Sequence, residues 1–211
     1  ADGVVIGKYF QKNRSQLKYS DLPKNLVQAL VATEDARFYE HSGIDARGTL
    51  RAISSLGTSG GASTLSQQLA KQLFHGEGSK FLPFRIVQKV KEWIIAIRLE
   101  RQYTKNEIIA MYCNVYDFGN NSVGVSSAAK TYFSKEPKDL TIDESAILVG
   151  MFKNSGLYNP IRNPQGVKNR RNVVLGQMLR AKIITEAQKE SYSKLRITLD
   201  FKLKRHKEGL V

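Results

Sequence analysis

Glu34-Asp35-Ala36-Arg37-Phe38-Tyr39-Glu40-His41-Ser42-Gly43 gathers three carboxylates, one imidazole and two aromatic rings into one short stretch. The stretch closes an apolar run in which Leu26, Ala29, Leu30 and Thr33 share a helical face. Glu34 is therefore expected at the C-terminal end of a buried helix, not on a solvated surface. A carboxylate at the negative end of a helix, beside Asp35, is disfavoured in its charged form. Both effects move it toward the range a general base needs. The same spacing also fits a plain acidic helix terminus followed by a loop.

A second constellation is Gly61-Ala62-Ser63-Thr64-Leu65-Ser66-Gln67-Gln68-Leu69-Ala70-Lys71, a glycine-rich loop running into a helix. A helix start offers free N–H groups and a positive dipole end, which suit an anion. Gln67, Gln68 and Lys71 are spaced to share a face and meet a ligand. Thr64 and Gln67 also fit a capping box. Farther on, Arg85, Gln88, Lys89 and Glu92 form a polar stripe on a long helix whose apolar side carries Ile86, Val90, Trp93, Ile94 and Ile97. Such a stripe usually means a solvated face with an internal ion pair.

The elements that must position these groups are mostly helices. An extended arm is expected over residues 3–19, then a first helix begun by Asp21 as cap with Pro23 in its first turn. Asp45 caps a second helix, and residues 54–63 read as loop. A third helix runs from Thr64 to about Phe74, residues 75–79 form a loop, and a long helix spans Phe81 to Arg101. Thr104 caps a helix to Tyr116, and Asp117 to Asn121 make a turn. Helices follow over Val123–Phe133, Thr141–Phe152 and Gly166–Ala181, the last preceded by a loop over residues 158–164. Thr185 caps one more, and the tail from Ile197 is extended and basic.

The 211 residues, 41% of them hydrophobic, suffice for one sizeable domain with a small lobe. The net charge of +14 points to a polyanionic partner such as nucleic acid, acidic lipid headgroups or a phosphorylated substrate. Cys113, alone in the sequence, excludes an internal disulfide and reads as a buried small hydrophobe. No apolar run approaches the length of a membrane span. The start at Ala1-Asp2-Gly3 is read as that of an excised piece, with a membrane helix expected before it in a parent chain. Aromatic residues are not interleaved with the basic runs, which argues against a nucleic-acid-binding module.

Together these pieces resemble the family-51 glycosyltransferases, the peptidoglycan glycosyltransferase domains of class A penicillin-binding proteins and monofunctional transglycosylases. The family's first motif, E-D-x-x-F-x-x-H-x-G, is complete at Glu34, Asp35, Phe38, His41 and Gly43. Its second, G-x-S-T-x-x-Q-Q-x-x-K-N, runs from Gly61 to Lys71 with Gln72 in place of the final Asn. The third, R-K-x-x-E, reads Gln88-Lys89-Val90-Lys91-Glu92 and lacks its Arg. The fourth spans Lys105 to Asn114, with Ile109 and Cys113 replacing leucines. The fifth is Arg170, Val174 and Leu175. The motifs occur in the family's order and cover nearly the whole chain, taken as one domain over residues 1–211.

The resemblance implies a mainly α fold, a lysozyme-like helical lobe with a smaller membrane-facing jaw over roughly residues 74–100 and a basic extended tail over 194–211. Phe74, Phe81, Leu82, Pro83 and Phe84, beside Lys80 and Arg85, fit such a membrane surface. It implies polymerisation of lipid II: a growing glycan on undecaprenyl pyrophosphate is the donor, and the C4 hydroxyl of an incoming lipid II attacks with inversion. Glu34 is the implied base. Lys71 and Lys89 meet the leaving pyrophosphate, with Ser63, Gln67, Gln68 and Asp35 as further substrate contacts. Glu92 is the second essential carboxylate, either holding Mg²⁺ or Mn²⁺ on the pyrophosphate or positioning Lys89. His41, Thr64, Asn114 and Arg170 are structural support. Gln88 costs the site one cation, for which Lys91, Arg85 or Lys80 could compensate. The implied setting is the outer face of a bacterial cytoplasmic membrane, with moenomycin as an inhibitor and room for a transpeptidase domain later in a parent chain. The competing reading is a lysozyme-like hydrolase or lytic transglycosylase, which also uses a glutamate on a helical lobe but needs no Lys71 anion site.

Overall fold

The computed structural model describes residues 13–14, 16–54, 63–74 and 82–202. The helices are α1 (Lys24–Glu34), α2 (Ala46–Ser54), α3 (Leu65–Phe74), α4 (Leu82–Gln102), α5 (Lys105–Val115), α6 (Val125–Phe133), α7 (Ile142–Met151), α8 (Pro164–Arg180) and α9 (Glu186–Lys194). Two short strands, β1 (Asn13–Arg14) and β2 (Ser122–Val123), pair in parallel. The expected mainly helical architecture is what the chain forms. Calls on residues 3–12, 55–62 and 75–81, Lys80 and Phe81 among them, and on the tail beyond 202 lie outside the described residues.

Local chemistry sets most helix starts. Thr104, Thr141 and Thr185 each accept a hydrogen bond from the third helical N–H, and the Glu or Gln there bonds back to the threonine N–H. Asp45 caps α2 through Gly48 N–H at 3.0 Å. Asp21 does not cap α1. It closes a 3₁₀ turn over Tyr19–Asp21 by accepting from Lys18 N–H at 2.8 Å, and α1 begins at Lys24 after Pro23, without a side-chain cap. Val123 belongs to β2, so α6 starts two residues later than expected, after Gly124 with φ of +83°. A Cβ on Gly124 would meet the Asn114 carbonyl oxygen at 2.9 Å, so the turn needs glycine. Asn163, not Gly166, opens α8, its side chain accepting from Gly166 N–H.

α7 is apolar around its whole girth, with Ser145 to Met151 buried, and packs against both α1 and α8. Helices α3, α4 and α5 pack on one another as a second group. Phe118, Phe152, Tyr112 and Tyr116 stack beneath the junction at centroid distances of 4.7 to 5.1 Å. The tail returns to α6, where Asp200 and Lys202 N–H groups take the terminal carbonyls of Tyr132 and Thr131.

The first half of α4 reverses the expected orientation. Glu92 is buried and Gln88 and Lys89 are half-buried, whereas Ile86, Val87, Val90 and Ile94 are 45 to 59% exposed. Of the polar stripe, Gln88, Lys89 and Glu92 turn inward, where Lys89 donates to Ser63 just before α3, while Arg85 stays exposed. No described helix is long and apolar enough to cross a membrane.

Candidate active site

Glu34 is the last residue of α1, and its side chain is 14% exposed. Arg170 of α8 donates to one carboxylate oxygen at 3.3 Å, and the Gln68 amide of α3 donates to the other at 3.3 Å. Three helices from both packing groups therefore converge on one carboxylate. Arg170 is itself held, donating to the Gly150 carbonyl at 3.4 Å and lying over the Tyr158 ring. Gln68 is held from below, its carbonyl accepting from the Tyr112 hydroxyl at 2.7 Å. Expected as a contact for the pyrophosphate, Gln68 is instead engaged with Glu34.

Asp35, expected to touch substrate, faces inward. Its Oδ2 accepts from Leu65 N–H at 2.9 Å, and both its oxygens lie 3.0 to 3.1 Å from His41 Nε2. The start of α3, read as an anion site, thus already holds a carboxylate of the chain itself. Gly43 ends the same stretch with φ of +92°, pressed so close to α4 that a Cβ would meet the Ala96 carbonyl at 2.9 Å. The Gly43 carbonyl accepts from the Thr64 hydroxyl at 2.7 Å and from the Gln67 amide at 3.2 Å. Gln67 is 1% exposed. Only half of the anticipated capping box forms: Thr64 accepts from Gln67 N–H, but the Gln67 side chain goes to Gly43. Lys105 completes the bolt, donating to the His41 carbonyl at 2.6 Å and pairing with Glu100, which also accepts from Ser66.

On the other side of α3 the charges are looser. Lys89 donates to Ser63 Oγ and to Glu92, both at 2.8 Å, and its side chain remains 37% exposed. Lys71 is exposed and has no hydrogen bond or ion pair among the described residues. Arg85 and Lys91 are exposed on α4. Glu92 lies against the Lys89 ammonium. Among the described residues no group of three or more His, Cys, Asp and Glu gathers as metal ligands.

Asn114 lies apart from these groups, exchanging two hydrogen bonds with the Leu17 backbone and tying the arm to α5. Arg171, next to Arg170, points the opposite way: fully buried, it pairs with Asp143 at 2.8 Å and donates to the Ser193 and Leu195 carbonyls. Burial pushes the Asp143 carboxyl up despite that partner. Burial likewise raises the Cys113 thiol to about 12, leaving it inert. A cavity of about 580 Å³ opens on another face of α1, lined by Tyr19, Leu22, Val27, Val31, Tyr39 and Ile183 among others. It contains none of the charged groups around Glu34. Tyr112 carried no role in the sequence. Its signal was a phenol on a helix face otherwise made of Ile108, Ile109 and Cys113, where a buried hydroxyl must find an acceptor.

A family model described as Transglycosylase matches residues 2–179. The chain is 44% identical over 191 residues to penicillin-binding protein 1A of Vibrio cholerae, covering 89% of this chain and 22% of that protein. It is 41% identical over 181 residues to penicillin-binding protein 1F of Bacillus subtilis, covering 84% and 25%. The crystal structure of penicillin-binding protein 1A from Haemophilus influenzae aligns with a TM-score of 0.57 at 26% identity, over 97% of this chain and 21% of that one. The chain thus spans between a fifth and a quarter of the length of these relatives.

Proposed function

Because this chain belongs to the transglycosylase family, we propose that it is a peptidoglycan glycosyltransferase that polymerises lipid II into glycan strands. The observation that carries the reading is the Glu34 carboxylate, clamped by Arg170 and Gln68 on the helix end that neighbours Lys71-bearing α3. A sugar hydroxyl does not ionise at neutral pH, so its proton must leave as it attacks. Glu34 takes that proton from the C4 hydroxyl of the acceptor. The acceptor oxygen bonds to the anomeric carbon of the donor sugar from the face opposite the leaving group, which inverts α to β. The bond from that carbon to the diphosphate oxygen breaks, and undecaprenyl pyrophosphate departs with the electron pair. No enzyme nucleophile is required.

The growing charge on the diphosphate is met by Lys71 and Lys89. Glu92 holds Lys89 in place, and Ser63 shares its ammonium. Asp35, His41, Thr64 and Asn114 serve as framework: they fix the stretch after Glu34 against the start of α3 and the arm against α5. The exposed apolar side of α4, with Ile86, Val87, Val90 and Ile94, faces the membrane in which the lipid tails remain. The enzyme accordingly works at the outer face of the cytoplasmic membrane. Gel analysis of labelled lipid II tests the reaction, a ladder of polymer being the expected result. Release of fragments from finished glycan, with no ladder from lipid II, would replace the polymerase by a hydrolase.

A further inference from the structure

Below Glu34 a hydrogen-bond chain runs into the core, from the carboxylate to the Gln68 amide and on to the Tyr112 hydroxyl. A carboxamide has two ends of opposite character and equal size. If the Gln68 side chain turned over, its carbonyl would face the Glu34 carboxylate, oxygen against oxygen. Nothing in Gln68 itself prevents this, because the rotation costs little. Tyr112 weighs against it: the phenol could accept from a turned NH₂, but its own buried O–H would then lose the acceptor it has here. Its phenol donates to the Gln68 carbonyl at 2.7 Å, which leaves the NH₂ toward Glu34. For that it must stay protonated. It is fully buried, and desolvation together with the nearby Glu34 charge holds its ionisation well above the ordinary range for tyrosine. Its ring cannot swing away either, since it stacks on Phe152 at 4.8 Å and 21°.

We propose that Tyr112 is a positioning residue for the base: acting through Gln68, it locks the amide so that a donor, never an acceptor, faces Glu34. The inference rests on Glu34 being the base of the proposed reaction. It assigns the phenol on α5 a role in the chemistry although no substrate reaches it. It also accounts for the use of an amide at position 68, where an apolar side chain would pack as well against α5. The lock acts on one carboxylate oxygen only; Arg170 supplies the other contact from α8.

A double-mutant cycle tests this, with initial rates of polymer formation from lipid II as the readout. Tyr112→Phe keeps the ring and its stack but removes the donor. It is expected to lower kcat about tenfold at unchanged KM, as for an interaction that matters in the transition state. Gln68→Met keeps length and volume but removes both hydrogen bonds, and should lose at least as much. In the double variant Tyr112→Phe should cause no further loss, because the amide it locks is gone. Additive losses would mean that the Tyr112 hydroxyl acts independently of Gln68, and full activity in Gln68→Met would overturn the relay even if Tyr112→Phe failed to fold. The unsubstituted protein and Glu34→Gln run alongside. If the former makes no polymer, or the latter makes as much, the proposed reaction or its base has failed, an outcome distinct from failure of the relay.

Discussion

Glu34 and Lys71 sit on helices that meet through Gln68, yet the fold holds them very differently. The carboxylate is 14% exposed and gripped from two helices, with Tyr112 and Gly150 holding the grips in turn. The ammonium is exposed and has no partner among the described residues, and its companion Lys89 is 37% exposed on a single ion pair. The contrast follows from what each is proposed to do. Proton transfer requires a donor and acceptor at hydrogen-bond distance, so a base displaced by a bond length is lost. A diphosphate is a cluster of charge, and Coulomb attraction falls off slowly enough for a mobile cation to follow it. One half of the site is built for position and the other for charge.

The largest effect should come from breaking position. Glu34→Gln keeps shape and hydrogen bonding but removes the base, and is expected to lower kcat by about 10²–10⁴-fold. Binding of a phosphoglycolipid such as moenomycin, followed by fluorescence anisotropy, should persist in that variant. Glu34→Asp should rescue little, because the shorter side chain withdraws the carboxylate from Arg170 and Gln68. Near-normal turnover in Glu34→Asp would erase the distinction between the two halves.

Charge comes next. Lys71→Ala is expected to lower turnover on the order of 10²-fold, comparable to losing one fixed group that stabilises the leaving oxygen. Ligand binding should weaken with it, since the charge is felt in the ground state and more strongly as the diphosphate departs. The decisive variant is Lys71→Arg. If charge matters and geometry does not, it should recover most of the activity that Glu34→Asp cannot. A loss as deep as that of Lys71→Ala would show that the ammonium needs a defined position after all.

The parts of this arrangement that sequence could show are the local ones. Thr104, Thr141, Thr185 and Asp45 announce their helices because a cap and its N–H groups lie within one turn. The buried face of α1 was visible in the spacing of Leu26, Ala29 and Leu30. What depended on docking was not visible. The Arg170–Glu34 contact joins residues 136 positions apart; the family motif singled out Arg170, but local periodicity does not tell it from Arg171, which turns to Asp143. Periodicity divided α4 correctly into a polar and an apolar stripe, but cannot tell which stripe meets the protein. Burial of Glu92 with exposure of Val87 and Ile94 is the less common choice; the buried carboxylate is paired with Lys89, which also donates to Ser63. Gln67 fitted a capping box, but the Gly43 carbonyl, brought close by tertiary packing, took its side chain.

Glu92 offers a finer test on the charged side. Glu92→Gln removes the partner of Lys89 and should change donor KM and kcat by only about two- to fivefold, the scale of a partly exposed ion pair. Whatever dependence the rate has on Mg²⁺ or Mn²⁺ should be the same in parent and variant after chelation and readdition. A shift in that dependence would put Glu92 on a metal rather than on Lys89, and would make the charged half more rigid than drawn above.

The smallest effect is expected where the chain passes from one half to the other. Asp45 caps α2, accepting from Gly48 N–H at 3.0 Å and from Arg37 at 2.7 Å. Desolvation raises its ionisation, but the Arg37 hydrogen bond, the Gly48 N–H and the Arg37 charge outweigh it, so the carboxyl is held below its usual value of 3.8. A carboxyl depressed in the folded state gives stability that is complete above its unfolded value and disappears as pH falls through the folded one. Asp45→Ala should therefore lower stability by about 1 kcal/mol near neutral pH, as read from urea midpoints. The difference from the parent should shrink as the pH drops below the ordinary aspartate range. Turnover per folded molecule should not change, because Asp45 touches neither Glu34 nor the lysines. If it did change, the link between the halves would itself be part of the positioning machinery, and the division between a fixed base and a free cation would have to be redrawn around α2.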